Sequence, residues 1–389
     1  MEKRIRVLTV IRHPVGGIRT YLKYTYGNLN RDQYQFTILT VDDEEGKLIE
    51  DDLKDLSVEV IRTRGQWRIL GIIWNVFRLC GLSRVDVIHS QGLTAGMLAL
   101  FGNWFGTVPH IITLHDVFRE EQFQGWRGEV KKRILGMALN WADVIHCVGE
   151  DVRRNLLEFL PALAKKEGKC VVITNGIAMR RAGDGATDYR RVLRQELGLS
   201  QETVIFGFFG RFMPQKGFTY LIDAIEALAM ERNGIGAFKV LAVNDGAFIR
   251  EYKALIREKG LEEYFVFYGF TAEIDRLFLG VDAVVMPSLW EACPLVPMEA
   301  LVLGCPVVAT ACIGLKEVLK DTPAVIIGQI RDPRAIVTAL RHLMDNIDKI
   351  REQVVDFMPR AAELFDVTRT ARELHELFSK VTRRNVAHL

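Results

Sequence analysis

The sequence lacks most of what marks an extracellular or membrane-spanning chain. Its six cysteines among 389 residues, Cys80, Cys147, Cys170, Cys293, Cys305 and Cys312, are scattered, mostly in apolar runs such as GCPVVATAC. None forms a C-x-x-C pair or a zinc-ligand spacing, so neither a disulfide framework nor a structural zinc site is expected, and free thiols in a reducing compartment are. No apolar run reaches the roughly 20 residues that span a bilayer, because Arg, Asn or Gly interrupts each one. The start, MEKRIRVLTVIRH, leads straight into a short strand pattern rather than a signal-peptide core. A cytoplasmic chain is the expectation, with any membrane contact peripheral, at the inner face. Charge of one sign is lacking too: 51 Lys and Arg against 49 Asp and Glu leave +2, so nothing in the balance points to nucleic acid as a partner. The basic triplet Lys131, Lys132, Arg133 reads as a solvated helix face that could still meet an anionic surface.

What is present is an ordinary globular composition, 49% hydrophobic and 26% charged, at a length that suits two domains better than one core. Short β-branched runs (IRVLTVI, FTILTV, VEVIRT, DVIHS, HIITLH, DVIHCVG, CVVITNG) alternate with helical patterns, the mark of βαβ units and a parallel sheet covered on both faces. The pattern breaks after Asn175–Ile177, where AMRRAGDGATDYRR is polar and without an apolar face, and reads as a linker. A second series (TVIFGFFG, FKVLAVND, YFVFYGF, DAVVMPS, CPVVAT, AVIIGQ) follows. The expected architecture is therefore α/β, two doubly wound, Rossmann-like parallel-sheet domains over 1–175 and 176–365. Ligands of such sheets bind at the carboxyl ends of the strands, and a cleft between two such domains is the natural active site.

Three loops at predicted strand ends carry chemistry. In RHPVGGIRTYL, Gly16 and Gly17 permit close backbone approach where a helix starts, although the full dinucleotide fingerprint is absent. In GFFGRFMPQKGFTYL, Arg211 and Lys216 follow a strand and precede a helix, an arrangement suited to clamping phosphate, or else simply two solvated cations. In PSLWEACPLVPMEA, Pro287 and Ser288 end a buried strand and Pro297 suits the first turn of the next helix. Glu299 then lies in that helix, where its dipole favours an acid. Glu291, in an otherwise apolar loop, has no such structural explanation.

The paired glycines after the first strand, a His at the end of a mid-domain strand, G-R-x(4)-K-G and P-S-x-x-E-x-C-P-L-V-x-x-E-A together resemble the family-four retaining glycosyltransferases of the GT-B fold, over nearly the whole chain. The resemblance implies two such domains facing across a cleft, an acceptor domain over 1–175 and a donor domain over 176–365, with a C-terminal helix at about 366–389 crossing back to the first. It also implies that Arg211 and Lys216, with backbone N–H groups of Leu295 and Val296, neutralise the diphosphate of a UDP- or GDP-sugar without a metal or other cofactor. Glu299 would hold the ribose, Glu291 the transferred sugar, and Gly16 and Gly17 would let backbone approach the diphosphate. His115 would contact the donor sugar or polarise the departing phosphate, where a lone histidine is otherwise more often a packing residue, as His89 and His146 are read. The implied reaction is sugar transfer, with retention, to a hydroxyl of a glycan, lipid-linked or small-molecule acceptor in polysaccharide or glycolipid synthesis.

The chain departs from the family pattern at Asn244, Asp245 and Gly246, where a Gly-rich turn is common, and at Ala292, where Gly is frequent. A dehydrogenase, a GT-B sugar phosphorylase or epimerase, and a catalytically silent sugar-binding protein remain as alternatives. Residues 65–82, with Trp67, Arg68, Trp74 and Arg78, suit either a helix buried on the sheet or one lying at a membrane interface.

Overall fold

A computed structural model describes residues 4–14, 16–56, 58–166, 168–178, 187–232, 238–271 and 273–386. The chain divides into two compact units, Met1–Ala178 with Asp366–Leu389, and Met179–Phe365.

In the first unit, β1 (Ile5–Ile11), α1 (Gly17–Gly27), β2 (Tyr34–Val41), α2 (Glu44–Asp52), β3 (Glu59–Thr63), α3 (Arg68–Gly81), β4 (Val87–Gln91), α4 (Leu93–Gly102), β5 (His110–Leu114), α5 (Gly125–Trp141), β6 (Val144–Cys147), α6 (Glu150–Phe159) and β7 (Cys170–Val172) alternate along the chain. The strands pair in parallel in the order β3-β2-β1-β4-β5-β6-β7, so the direction of winding reverses between β1 and β4. That reversal puts helices on both faces. Strands β4, β5 and β6 are buried at every residue, as the continuous runs VIHSQ, HIITL and VIHC require.

The second unit begins with α7 (Tyr189–Glu196), followed by β8 (Val204–Phe209), α8 (Phe218–Arg232), β9 (Phe238–Val243), α9 (Ile249–Glu258), β10 (Phe265–Tyr268), α10 (Ile274–Gly280), β11 (Ala283–Met286), α11 (Val296–Val302), β12 (Val307–Thr310), α12 (Leu315–Val318), β13 (Val325–Ile327), α13 (Pro333–Asp345) and α14 (Ile347–Leu364). Its six-stranded parallel sheet has the order β10-β9-β8-β11-β12-β13. Of the polar stretch read as a linker, 179–186 lies outside the described residues. Its end is not linker at all: Asp188 caps α7 by accepting from the Arg191 amide, and Arg190 and Arg194 ion-pair with Asp282. Asp282 is buried, also accepts from the Ile205 amide at 2.7 Å and meets Arg351 at 3.2 Å. Amphipathic spacing in so short and polar a segment is hard to see without the buried acid that fixes it.

The last helix, α15 (Val367–Val386), returns to the first unit. Ala371, Leu374, Leu377, Phe378 and Val381 enter the core formed by β1, β2 and α1, each large apolar side chain contributing about 1.5–3 kcal/mol by its burial. The entry is fixed at Gly176, where a Cβ would lie 2.6 Å from the Val367 Cα, and only glycine allows the two backbones so close. There Val367 N donates to Ile177 O at 3.1 Å and Thr370 Oγ1 to Thr174 O at 2.8 Å. Among the described residues no helix is long and apolar enough to cross a membrane.

His89 and His146 do not end their strands. They lie inside β4 and β6 in one buried hydrogen-bonded row: Thr9, Tyr26, His89, Thr113, His146 and the Ile173 carbonyl, with successive contacts of 2.7, 2.7, 2.7, 2.9 and 2.9 Å. The carbonyl can only accept, so His146 carries its proton on Nε2 and accepts from Thr113 at Nδ1. The same direction then runs back through the row, so His89 also carries its proton on Nε2, accepts at Nδ1 from the Tyr26 hydroxyl, and Tyr26 accepts from Thr9. Burial holds His89 well below the ordinary value of 6.5 and lowers His146 to about 4, while His110, bonded to Ser90, is lowered to about 3 by burial and by Lys169. These rings are neutral in the folded chain and take up protons when it unfolds. Stability is therefore fully present above about pH 6.5 and falls as pH drops from there toward the folded values, by ~1.4 kcal/mol per pH unit for each histidine. Urea unfolding at pH 7 and pH 5 should show this loss, and His146→Gln should flatten the pH dependence of the remaining stability.

Candidate active site

Strands β8 and β11 are neighbours, so the loops leaving their carboxyl ends start side by side. The β8 loop is anchored by Phe212, fully buried against Phe208 and Phe218. Its backbone is tied to the loop after β9: Phe212 N donates to Asp245 O at 3.1 Å, and a Cβ on Gly246 would lie 2.5 Å from Phe212 N. Asn244 takes a positive φ of 110°, with its Oδ1 accepting from the Asp245 amide at 2.8 Å. Asn is among the residues that tolerate that region. The Asn-Asp-Gly departure is thus a turn built on side-chain hydrogen bonds.

The loops after β8 and β11 interlock. Gly217 takes a left-handed φ of 68°, and a Cβ there would sit 2.0 Å from the Pro287 carbonyl. Leu289 N donates to Gln215 O at 2.8 Å and Gln215 Nε2 to Trp290 O at 2.9 Å. Lys216, between these contacts, lays its stem along Gly210 and points its Nζ at Glu291, 2.7 Å from Oε1 and 3.0 Å from Oε2. Ser288 Oγ donates to Glu291 Oε1 at 2.7 Å. Gly314 packs beneath, where a Cβ would lie 2.5 Å from the Glu291 carbonyl. Glu291 is only 5% exposed. A carboxylate so enclosed needs a partner cation, and here it has one.

The structure therefore supplies the local reason for Glu291 that the sequence did not: it is the counter-ion of Lys216. Ser288 was missed as a partner, although P-S-x-x-E spaces it three residues before Glu291. Gly217 and Gly314 were missed as well, and only the contacts across the loops reveal why they are glycine.

Arg211 is exposed at the start of the β8 loop. Leu295 is the N-cap of α11 and Val296 its first residue, with no side-chain cap, and Pro297 stands in the first turn. Half-buried Glu299 lies in the same turn, its amide donating to Leu295 O at 2.9 Å.

In the first unit, Gly16 caps α1 with φ 47°, and a Cβ on Gly17 would meet open space. One turn further, Tyr21 presents its ring to His115 edge-on at 5.0 Å. His115 follows β5, and its Nε2 lies 2.8 Å from Oε1 of buried Gln91 at the end of β4. Burial, with His146 nearby, lowers its pKa to about 3, so the ring is neutral. Gln91 was not anticipated. Among the described residues, one group of potential metal ligands has its atoms within 4.8 Å of one another, His13, Asp43 and Glu45, and it includes none of the residues expected to bind donor.

Residues 16–176 match the family described as "Glycosyl transferase 4-like domain" and residues 203–346 the one described as "Glycosyl transferases group 1". The chain belongs to the group 1 glycosyltransferases. This glycosyltransferase is 21% identical over 282 residues to the UDP-Gal:alpha-D-GlcNAc-diphosphoundecaprenol alpha-1,3-galactosyltransferase of Escherichia coli, with 70% of each chain covered. It is 28% identical over 196 residues to the lipopolysaccharide core biosynthesis mannosyltransferase LpsB of Rhizobium meliloti, covering 49% of this chain and 55% of that one. Among solved structures it resembles Anabaena Alr3699/HepE in complex with UDP and glucose, with a TM-score of 0.80 at 20% identity over 97% of this chain and 100% of that one. It also resembles WaaG, a glycosyltransferase involved in lipopolysaccharide biosynthesis, at 0.72 and 14% over 95% and 99%. At such identities the likeness is one of fold, and the fold is GT-B.

Gly217→Ala should break the interlock of this glycosyltransferase. A left-handed alanine costs about 1–2 kcal/mol before any displacement of the Pro287 carbonyl is counted, so a drop of at least that size in urea unfolding is expected. An alanine variant as stable as the parent would contradict the packing described.

Proposed function

We propose that this glycosyltransferase moves a sugar from a nucleotide-diphosphate sugar, UDP- or GDP-linked, to a hydroxyl of a glycan, lipid-linked or small-molecule acceptor, with retention and without a metal. The observation that carries this reading is the Lys216–Glu291 pair, set where β8 and β11 end and a few residues ahead of the helix start that bears Glu299.

An ammonium has three N–H donors. Two face the oxygens of Glu291, leaving one for a phosphate oxygen. Exposed Arg211 offers a planar fork to the same diphosphate, and the first amides of α11, at Leu295 and Val296, have no intrahelical partner. Glu299, held on a helix, accepts from the ribose hydroxyls. Glu291, fixed by Lys216 and Ser288, accepts from hydroxyls of the transferred sugar.

In the first unit, Gly16 and Gly17 serve close backbone approach to the substrates. His115 serves as a neutral hydrogen-bonding partner of the sugar, because an imidazole with a pKa near 3 is no cation at pH 7.

Catalysis on this reading is electrostatic. As the bond from the anomeric carbon to the diphosphate breaks, charge grows on the leaving oxygen, and Lys216, Arg211 and the helix amides are already in place to meet it. The leaving diphosphate takes the proton of the acceptor hydroxyl, which attacks the same face, so the anomeric configuration is kept. The free cysteines, five of the six buried, suit the reducing environment of the cytoplasm and its membrane face, where polysaccharide or glycolipid precursors would be met.

Thermal-shift measurements with UDP, GDP, ADP, CMP and their sugars should show a selective response to one nucleotide, and indifference to all of them would remove the reading. Lys216→Ala should lower turnover about 10² to 10³-fold at saturating donor; near-parental turnover would sink the clamp. The pH–rate profile between pH 5 and 8 should contain no inflection that disappears in His115→Ala, because that ring does not titrate there.

A further inference from the structure

Five of the six tryptophans, Trp67, Trp74, Trp104, Trp126 and Trp141, are between 58% and 73% exposed, and all five belong to one face of the first unit. That face is made by α3, α4 and α5, which pack on one another in that order. On α5 the exposed residues Trp126, Val130, Ile134, Met137 and Trp141 fall within about 80° of arc at 100° per residue. The opposite side of α5 buries Leu135 and Leu139. On α3, Trp67, Leu70, Trp74 and Phe77 form a second exposed stripe, while Ile72, Val76 and Leu79 face the sheet.

The loop after α4 joins the two stripes. Phe105 meets Phe77 at 6.4 Å, and Trp104 stands edge-on to Trp141 at 5.2 Å. Singly scattered apolar residues on a surface need no explanation, but rings in contact across three helices do. The sequence had pointed to residues 65–82 as a helix for a membrane interface and to the triplet Lys131, Lys132, Arg133 as able to meet an anionic surface, but the larger part of the aromatic face lies on α4, the loop after it and α5.

The charges on these helices identify what covers it. Helix α3 carries Arg68 and Arg78 and no acid, and α4 carries no charge at all. Helix α5 carries Arg127, Lys131, Lys132 and Arg133 against the single acid Glu129, which Lys132 meets at 3.2 Å. By helical geometry Arg127 borders one edge of the α5 stripe and Arg133 the other, and Arg78 borders the stripe on α3. A second copy docked symmetrically would bring these cations against their own images, and the one acid on the three helices, Glu129, is already paired with Lys132. A bilayer with anionic headgroups answers both features at once. Tryptophan belongs at the headgroup level, the aliphatic residues reach the acyl boundary, and basic residues at the edge gain from the negative surface potential.

We propose that the α3–α4–α5 face of the first unit is a docking surface for an anionic lipid bilayer. This inference does not depend on the proposed transfer reaction.

The test is flotation of the full chain with phosphatidylcholine vesicles, with and without about 30% phosphatidylglycerol, anionic content being what the basic rim needs. The protein should float with the anionic vesicles only, and acyl-brominated lipid should quench its tryptophan fluorescence. Trp126→Ser with Met137→Ser and Trp141→Ser should reduce flotation roughly ten-fold or more. Arg127→Glu with Arg133→Glu should do the same for anionic vesicles. All these side chains are exposed or flank the exposed stripe, and an unchanged urea midpoint would confirm that each variant folds. No flotation by the parent, flotation unchanged in both folded variants, or a parental dimer that the serine variant converts to monomers without any vesicle binding would each overturn the proposal.

Discussion

A parallel strand cannot return to its neighbour by a short turn; each must be followed by a crossover that lies on a face of the sheet. Almost everything in this chain follows from that constraint. The crossovers cover both faces, so the central strands become apolar runs. The loops leaving the strands' carboxyl ends collect along one edge, where Arg211, Lys216 and Glu291 stand on neighbouring loops although up to 80 residues separate them in sequence. The same geometry leaves helices outermost, and in the first unit three of them turn aromatic side chains outward.

Polar groups buried inside such sheets need partners, and the two units supply most of them differently. The first buries a row of neutral rings and hydroxyls, running from Thr9 to the Ile173 carbonyl, whose hydrogen-bond direction is set by a single acceptor at its end. The second buries charge: Asp282 is enclosed with Arg194 and reached by Arg190 and Arg351, and Glu291 is enclosed with Lys216. The neutral row ties the stability of the first unit to pH. The charged pairs fix loop positions, because neither partner can move without leaving the other buried and alone.

Alternation of short apolar runs with helical segments made both sheets legible, and Gly-Arg-x(4)-Lys-Gly with the two spaced glutamates made the family legible. What escaped was everything that depends on contacts distant in sequence. The start of α7 reads as the end of a polar linker until Asp282 is seen to need Arg190 and Arg194. His89 and His146 read as strand-end packing until Thr113 is found between them. Gly217 and Gly314 read as ordinary loop glycines until the Pro287 and Glu291 carbonyls are found where their Cβ atoms would be. The outward stripe on α5 was missed because its spacing is the same as that of a buried one: periodicity shows that a helix has an apolar face, not which way the face turns.

The sequence by itself determined the periodicities, the family and the residue types at each strand end, because these are properties of neighbours along the chain. Only the tertiary structure decided partners. Glu291 and Glu299 look alike in PSLWEACPLVPMEA, yet one is enclosed with a lysine from another loop and the other is half-buried in the first turn of its helix. That difference comes from β8 lying beside β11, a fact of pairing between strands that no local pattern records.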